Sequence, residues 1–189
     1  MAFNEDWYSN EQLDLLVAAY DLARHVPGDV LEVGCWEGRS TVALARACFP
    51  KTLVAIDTWE GSFDEAPDHV TVTLARERDV YAIFRENVRE LTAGNVFPAK
   101  CDWRTFMAER PRAPIAFCHL DAAHDYVSVR DQIRALLPHM SPGGTICGDD
   151  FENADAGRED LQGGVERAVR ECLPAFSAHG NFWQCRIVE

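Results

Sequence analysis

The sequence predicts a doubly wound, mostly parallel α/β sheet of seven strands, finished by an antiparallel hairpin at the C-terminus. Three observations lead there. Short apolar runs of strand length alternate with stretches of helical period, the pattern of successive βαβ units. Parallel sheets built from such units are covered by helices on both faces. Near the end, Gly180-Asn181 separates two strand-like runs, which is a hairpin turn signal.

The elements follow in order. Ser9-Asn10-Glu11-Gln12 has the form of a capping box. Leu13, Leu16, Val17, Tyr20 and Ala23 then recur at helical spacing until Pro27-Gly28, so residues 1–27 form an N-terminal helical segment. Asp29 to Gly34 is a first strand, and a helix from about Arg39 to Cys48 closes at Pro50. Leu53 to Ile56 is a second strand ending at Asp57. Residues 58–78 carry acids, Gly61, Pro67 and few periodic apolar positions, which predicts a long excursion or lid. Asp79 to Leu91 is helical, with Val80, Phe84, Val88 and Leu91 on one face. Asn95 to Ala99 is a third strand and Trp103 to Glu109 a short helix. Pro114 to Leu120 is a fourth strand, followed by a helix from about Tyr126 to Leu137. Pro142-Gly143-Gly144 turns into a fifth strand, Thr145 to Gly148. After an acidic loop, Val165 to Cys172 is helical, and Ala175 to Ala178 and Phe182 to Val188 make the hairpin. There is no repeat and no linker, so residues 1–189 read as one domain.

Composition narrows the function. With 18 Lys+Arg against 31 Asp+Glu, the net charge is −13, which disfavours binding to a phosphate backbone. No apolar run is long enough to span a membrane. The first residues lack the basic and apolar regions of a signal peptide, making the cytoplasm the expected compartment. The 7 cysteines are scattered, without Cys-x-x-Cys spacing, and read as free thiols. A small-molecule acceptor is the expected partner.

In doubly wound sheets ligands bind beyond the carboxyl ends of the strands. Those ends hold Glu32 with Gly34, then Asp57, Asp102, Asp121, and Asp149 with Asp150. Every strand of the parallel set delivers acid to one rim. The first turn runs Glu32-Val-Gly-Cys-Trp-Glu-Gly-Arg-Ser40. Gly34 and Gly38 let the backbone pass close under a ligand, but Trp36 and Glu37 would meet a pyrophosphate with bulk and negative charge. Asp57, at the end of the next strand, is spaced to accept hydrogen bonds from ribose hydroxyls. An adenosine ligand without a phosphate chain fits, and cationic S-adenosylmethionine suits an acidic rim.

Four segments carry a resemblance: Leu31 to Thr41, Ala55-Ile-Asp-Thr-Trp-Glu-Gly61, His119-Leu-Asp-Ala-Ala-His-Asp-Tyr126, and Ser141 to Phe151. Gly164-Val165 with Ala168-Val169 extends it. The sequence resembles the class I S-adenosylmethionine-dependent methyltransferases. Within them it is similar to the small bacterial sugar and natural-product O-methyltransferases of the macrocin O-methyltransferase type. The resemblance implies that Glu32, Gly34 and Gly38 line the methionine and ribose side of the cofactor, with Ser40 near its carboxylate. It gives Asp57 the ribose hydroxyls and Asp102 the adenine amino group, with Trp103 packed nearby. It also implies a magnesium or manganese ion held by Asp121, Asp149 and Asp150. Carboxylates on strands about 4.8 Å apart can converge on one such ion. His124 matches a histidine proposed as general base in one branch, and the unperturbed imidazole pKa of roughly 6.5 suits a proton acceptor near neutrality. Ala123 stands where other relatives carry a second candidate base.

The resulting expectation is a magnesium-assisted O-methyltransferase acting on a sugar or glycosylated natural product. Two other functions fit the same fold: a cofactor-binding domain without methyl transfer, and a metal-dependent lyase or isomerase. Trp36, Trp59 and Phe63 are candidate pocket walls, and Asp68-His69 a lid contact. Glu152 and Asp155 read as solvated loop residues.

Overall fold

The computed structural model describes residues 3–62, 69–110, 113–152 and 163–188. The chain runs α1 (Asn10–Ala23), β1 (Asp29–Val33), α2 (Arg39–Cys48), β2 (Leu53–Asp57), α3 (Val70–Glu77), α4 (Val80–Leu91) and β3 (Val96–Lys100). It continues α5 (Trp103–Glu109), β4 (Ile115–Leu120), α6 (Tyr126–Leu136), β5 (Met140–Gly148), α7 (Gly164–Cys172), β6 (Phe176–His179) and β7 (Phe182–Arg186). The seven strands form one sheet in the order β3-β2-β1-β4-β5-β7-β6. β1 pairs in parallel with both β2 and β4, whereas β7 runs antiparallel to β5 and to β6. The strand order therefore reverses between β1 and β4, and the crevice at that switch point is where a ligand belongs. Among the described residues no helix is long and apolar enough to cross a membrane.

Alternation along β1 divides the core. Leu31 and Val33 join Cys118, Leu120 and Ile146 beneath α6 and α7. Val30 joins Phe117, Cys147 and Phe182 on the other face, beneath Leu16, Ala19 and Tyr20 of α1. α1 begins as its sequence indicates: Ser9 Oγ accepts from the Gln12 N–H, and the Gln12 side chain returns to the Ser9 N–H.

Two elements differ from the sequence reading. β5 begins at Met140, so Ser141-Pro-Gly-Gly144 lies within a strand instead of a turn before it. The region 58–78 contains a helix, α3, capped by the His69 side chain accepting from the Thr71 N–H. Its Val-Thr-Val-Thr opening is rich in β-branched residues, poor helix formers, and it buries no side chain, so no apolar period marks it.

Candidate active site

A cavity of about 430 Å³ opens at the carboxyl ends of the parallel strands, a size suited to a small-molecule ligand. Its floor is the switch point. Gly34 follows β1 with φ +88°, and a Cβ there would lie 2.1 Å from the carbonyl oxygen of Asp121. Only glycine lets the β1–α2 turn meet the end of β4 so closely. The next residues, Cys35 and Trp36, donate their N–H groups to Asp57 Oδ2 at 2.7 and 3.0 Å. Asp57 Oδ1 accepts the Trp59 N–H at 2.7 Å, and the Trp59 indole donates to the Trp36 carbonyl at 2.8 Å. Trp36 has φ 46°, a strained value for a bulky residue, and this network is what holds it. Burial raises the pKa of Asp57, opposed by those backbone donors.

Asp102 and Trp103 line the cavity at the far end. Asp102 caps α5, with Oδ1 accepting the Arg104 N–H at 2.8 Å. Arg104 spreads over the Trp103 ring at 4.6 Å. Ser40, nearly buried, lines the cavity from the first turn of α2.

Two expected cofactor residues sit elsewhere. Glu32 is fully buried below the floor, accepting from Thr41 Oγ1 at 2.5 Å and lying 3.2 Å from His119 Nδ1. Its position in β1 explains this: it shares a face with Val30, under α2, and is ladder partner of His119. His119 Nε2 in turn meets the Tyr8 hydroxyl at 3.2 Å, and Tyr8 does line the cavity. Gly38 is outside the cavity wall. It is the left-handed N-cap of α2, and a Cβ there would come within 3.0 Å of the Phe84 ring.

The acids at the ends of β4 and β5 make the most charged corner. Asp121, His124 and Asp150 each bring one potential ligand atom within 4.8 Å of the others. His124 Nε2 lies 2.9 Å from Asp150 Oδ2. Asp149 is outside this compact group. Gln12 of α1 draws its Oδ2 away with an amide hydrogen bond of 2.5 Å. Burial, then Asp149 and Asp150, raise Asp121 well above the usual carboxylate range, while His124 opposes them. Asp149 is raised by burial and by Asp150. Such mutual repulsion between desolvated carboxylates is relieved by a cation, and the oxygen-rich donor set fits magnesium. Two hairpin contacts hold the backbone of this acid pair. The Trp183 indole donates to the Asp149 carbonyl at 3.2 Å, and the Phe151 N–H donates to the Asn181 carbonyl at 2.8 Å.

Residues 3–8 are not helical, unlike the helical segment expected over 1–27: they form an N-terminal strap, Phe3 to Tyr8, that closes one side of the cavity ahead of α1. Glu37, 2% exposed, fastens it. Its carboxylate accepts from the Asn4 backbone at 2.7 Å and the Asn4 amide at 2.9 Å. Arg78, beyond α3, pairs with Glu37 at 3.0 Å and also with Glu5. Trp7 packs on Trp36 with ring centroids 5.5 Å apart. Glu37, read from the sequence as an acid that repels phosphate, is thus a structural anchor, and its place directly after a bulky turn residue is the signal for it. Of the other expected wall and lid residues, Trp36 and His69 line the cavity and Trp59 is buried behind it. Phe63, Asp68 and Asp155 lie outside the described residues.

Residues 31–151 match a family described as "Methyltransferase domain". The chain belongs to this methyltransferase family. A curated relative, the 8-demethyl-8-(2,3-dimethoxy-α-L-rhamnosyl)-tetracenomycin-C 4′-O-methyltransferase of Streptomyces olivaceus, is 26% identical over 86% of this chain and 68% of that protein. Among solved structures, the O-methyltransferase from Bacillus cereus in complex with SAH superposes with a TM-score of 0.68. It is 19% identical, over 96% of this chain and 82% of that one. A TDP-rhamnose 3′-O-methyltransferase of calicheamicin biosynthesis gives a TM-score of 0.65 at 19% identity, over 95% and 81% of the two chains. The methyltransferase thus shares its fold with the two solved structures.

Proposed function

We propose that this methyltransferase moves the methyl group of S-adenosylmethionine to a hydroxyl of a sugar or glycosylated natural product, assisted by magnesium. The observation that carries this reading is the meeting of Asp121, His124 and Asp150 at the switch point, in the cavity that also holds the Gly34 turn. A domain that only bound an adenosyl ligand has no use for three acids and an imidazole beside it. The curated relative is named for a rhamnosyl acceptor, which supports a sugar.

In this reading Gly34 and Ser40 receive the methionine end of the cofactor, and Asp102 and Trp103 the adenine. Asp57 receives the ribose. A carboxylate has about four acceptor sites, and three here serve backbone N–H groups, so a hydroxyl can still be taken. The sulfonium supplies an already activated methyl group. Asp121, Asp149 and Asp150 are the oxygen ligands that suit magnesium; the bound ion would lower the pKa of the acceptor hydroxyl. His124, a nitrogen donor, is the poorer ligand for so hard a cation and is left to act as base. It takes the hydroxyl proton, and Asp150 at 2.9 Å steadies the imidazolium that results. The enclosing strap and turn hold the two reactants in line and exclude water.

The test is product analysis. Incubation with S-adenosylmethionine and rhamnosyl glycosides or TDP-rhamnose should release S-adenosylhomocysteine and a methylated sugar. EDTA should stop turnover, and magnesium or manganese should restore it. Full turnover in EDTA would remove the metal from the reading, and no product from any hydroxylated sugar would remove the acceptor class.

A further inference from the structure

The strap carries a ring that its fastening does not use up. Trp7 lines the cavity and is 49% exposed, whereas Trp59 and Trp183 are 4% and 1% exposed. Trp36 is closely engaged. Its ring meets that of Trp7, the Arg78 guanidinium stands 5.9 Å from its centroid, and its indole donates to Glu5 Oε2 at 3.2 Å. Trp7 has one ring partner, Trp36, among the described residues. A broad, rigid apolar surface is thus left at the mouth of the cavity.

Room and charge decide what such a surface would meet. About 430 Å³ lies toward the lower end of sites that enclose one drug-sized ligand. With S-adenosylmethionine and the reacting sugar inside, the remainder of the acceptor must lie at the mouth, against Trp7. The charge there does not suit phosphate. Arg39 pairs with Asp6 at 2.6 Å, and Arg78 pairs with Glu5 and Glu37. Two cations against three acids leave this side of the mouth negative, and Arg104 lies at the other end, beside Asp102. A diphosphate would be repelled. An uncharged flat ring would bury apolar area on the indole and stack against it.

We propose that Trp7 is a specificity-determining residue that stacks on an aromatic aglycone, so that the acceptor is an assembled aryl glycoside and not a nucleotide sugar. This rests on the sugar O-methyltransferase reading given above. Glycosyl transfer onto the aglycone must then precede this methylation. The residue type suits the task, because tryptophan offers a wide contact face with only two side-chain torsions to fix.

The experiment compares kcat/KM for naphthyl α-L-rhamnoside, methyl α-L-rhamnoside and TDP-rhamnose, read as S-adenosylhomocysteine released. Wild type should favour the naphthyl over the methyl glycoside by about tenfold, mostly through KM, the order of effect an aromatic pair contributes. TDP-rhamnose should be a poorer acceptor than the naphthyl glycoside. Trp7→Leu, which still packs on Trp36, should bring the two glycosides within about twofold of each other. Trp7→Phe, which keeps a ring, should retain most of the preference, and Trp7→Gln stands in if the leucine variant unfolds. A loosened strap would slow both glycosides alike and leave their ratio intact, so an unchanged ratio in Trp7→Leu would overturn the role of Trp7. Equal use of the two glycosides by wild type, or a preference for TDP-rhamnose, would overturn the aromatic acceptor while the sugar reading stands. No product from any of these acceptors would overturn the sugar reading itself, and the role of Trp7 with it.

Discussion

Gly34 and Asp121 stand so close that a single added methyl at Gly34 would fall 2.1 Å from the Asp121 carbonyl oxygen. The turn proposed to receive the cofactor and the strand end that carries the first acid are thus one packed unit. Gly34→Ala should cost about 1–3 kcal/mol from the left-handed backbone alone, with the clash in addition. Thermal unfolding should show the loss, and calorimetry should find no S-adenosylhomocysteine binding. An alanine variant that binds with wild-type affinity would refute the close approach.

Asp57→Ala should weaken S-adenosylhomocysteine binding by about 1–3 kcal/mol, the worth of hydrogen bonds to a charged group. NAD should not bind comparably to wild type. Tight NAD binding, or unchanged affinity in the variant, would count against the ribose assignment.

His124→Ala should lower kcat by roughly 10²–10⁴, the usual contribution of a general base, with cofactor affinity nearly intact. Ala123 makes the result readable, because no carboxylate at that position can take over. A loss of less than about tenfold would demote His124 and leave deprotonation to the metal.

The acids at the floor predict how stability depends on pH. Burial and neighbouring charge raise Asp121 and Asp149 above the ordinary carboxyl value of 3.8. A raised carboxyl favours its protonated form in the fold. Its stabilising contribution is therefore complete below 3.8 and is lost as pH rises through the folded value. Metal-free protein should lose stability from this source as pH climbs from the acid side, and Asp121→Asn should flatten that loss. Magnesium should add most stability at the alkaline end. Melting curves against pH, with EDTA or with magnesium, would show a parallel pH dependence if the acids do not share a cation.

Arg78→Met should leave Glu37, 2% exposed, with its Asn4 donors alone among the described residues. Removing one partner of a buried ion pair costs about 3–5 kcal/mol, and the exposure of Arg78 and Glu5 argues for the lower end. Limited proteolysis should then cut within the strap, and S-adenosylhomocysteine should dissociate faster. An uncut strap with unchanged dissociation would show that the Arg78 pair does not fasten it.

The sheet was legible because its strands carry unbroken apolar runs and its helices a clear period, as Leu16, Ala19, Tyr20 and Ala23 do in α1. Acids at strand ends were legible for the same reason: once the strands are placed, Asp57, Asp121 and Asp150 follow. Facing was harder. Glu32 reads as a rim acid by its position, yet it lies one residue too deep and on the α2 face, where Thr41 and His119 satisfy it. α3 and the strap were not legible at all. Neither buries an apolar stripe of its own; they are held by caps, ion pairs and ring contacts whose partners, such as Glu5 and Arg78, are far apart in sequence.

The hairpin contacts to Asp149 and Phe151 make the end of the chain a support for the acids proposed to carry the chemistry, to which it adds no residue of its own. Gly148 has no room for a side chain because Trp183 fills it, with ring atoms 2.6 Å from where a Cβ would be. A chain ended before Phe182 would keep every residue of the cavity wall and still leave β5 as a raw sheet margin, open to pairing with another molecule. The boundary of the catalytic unit, for anyone trimming or fusing this protein, therefore lies beyond Cys185 rather than at Asp150.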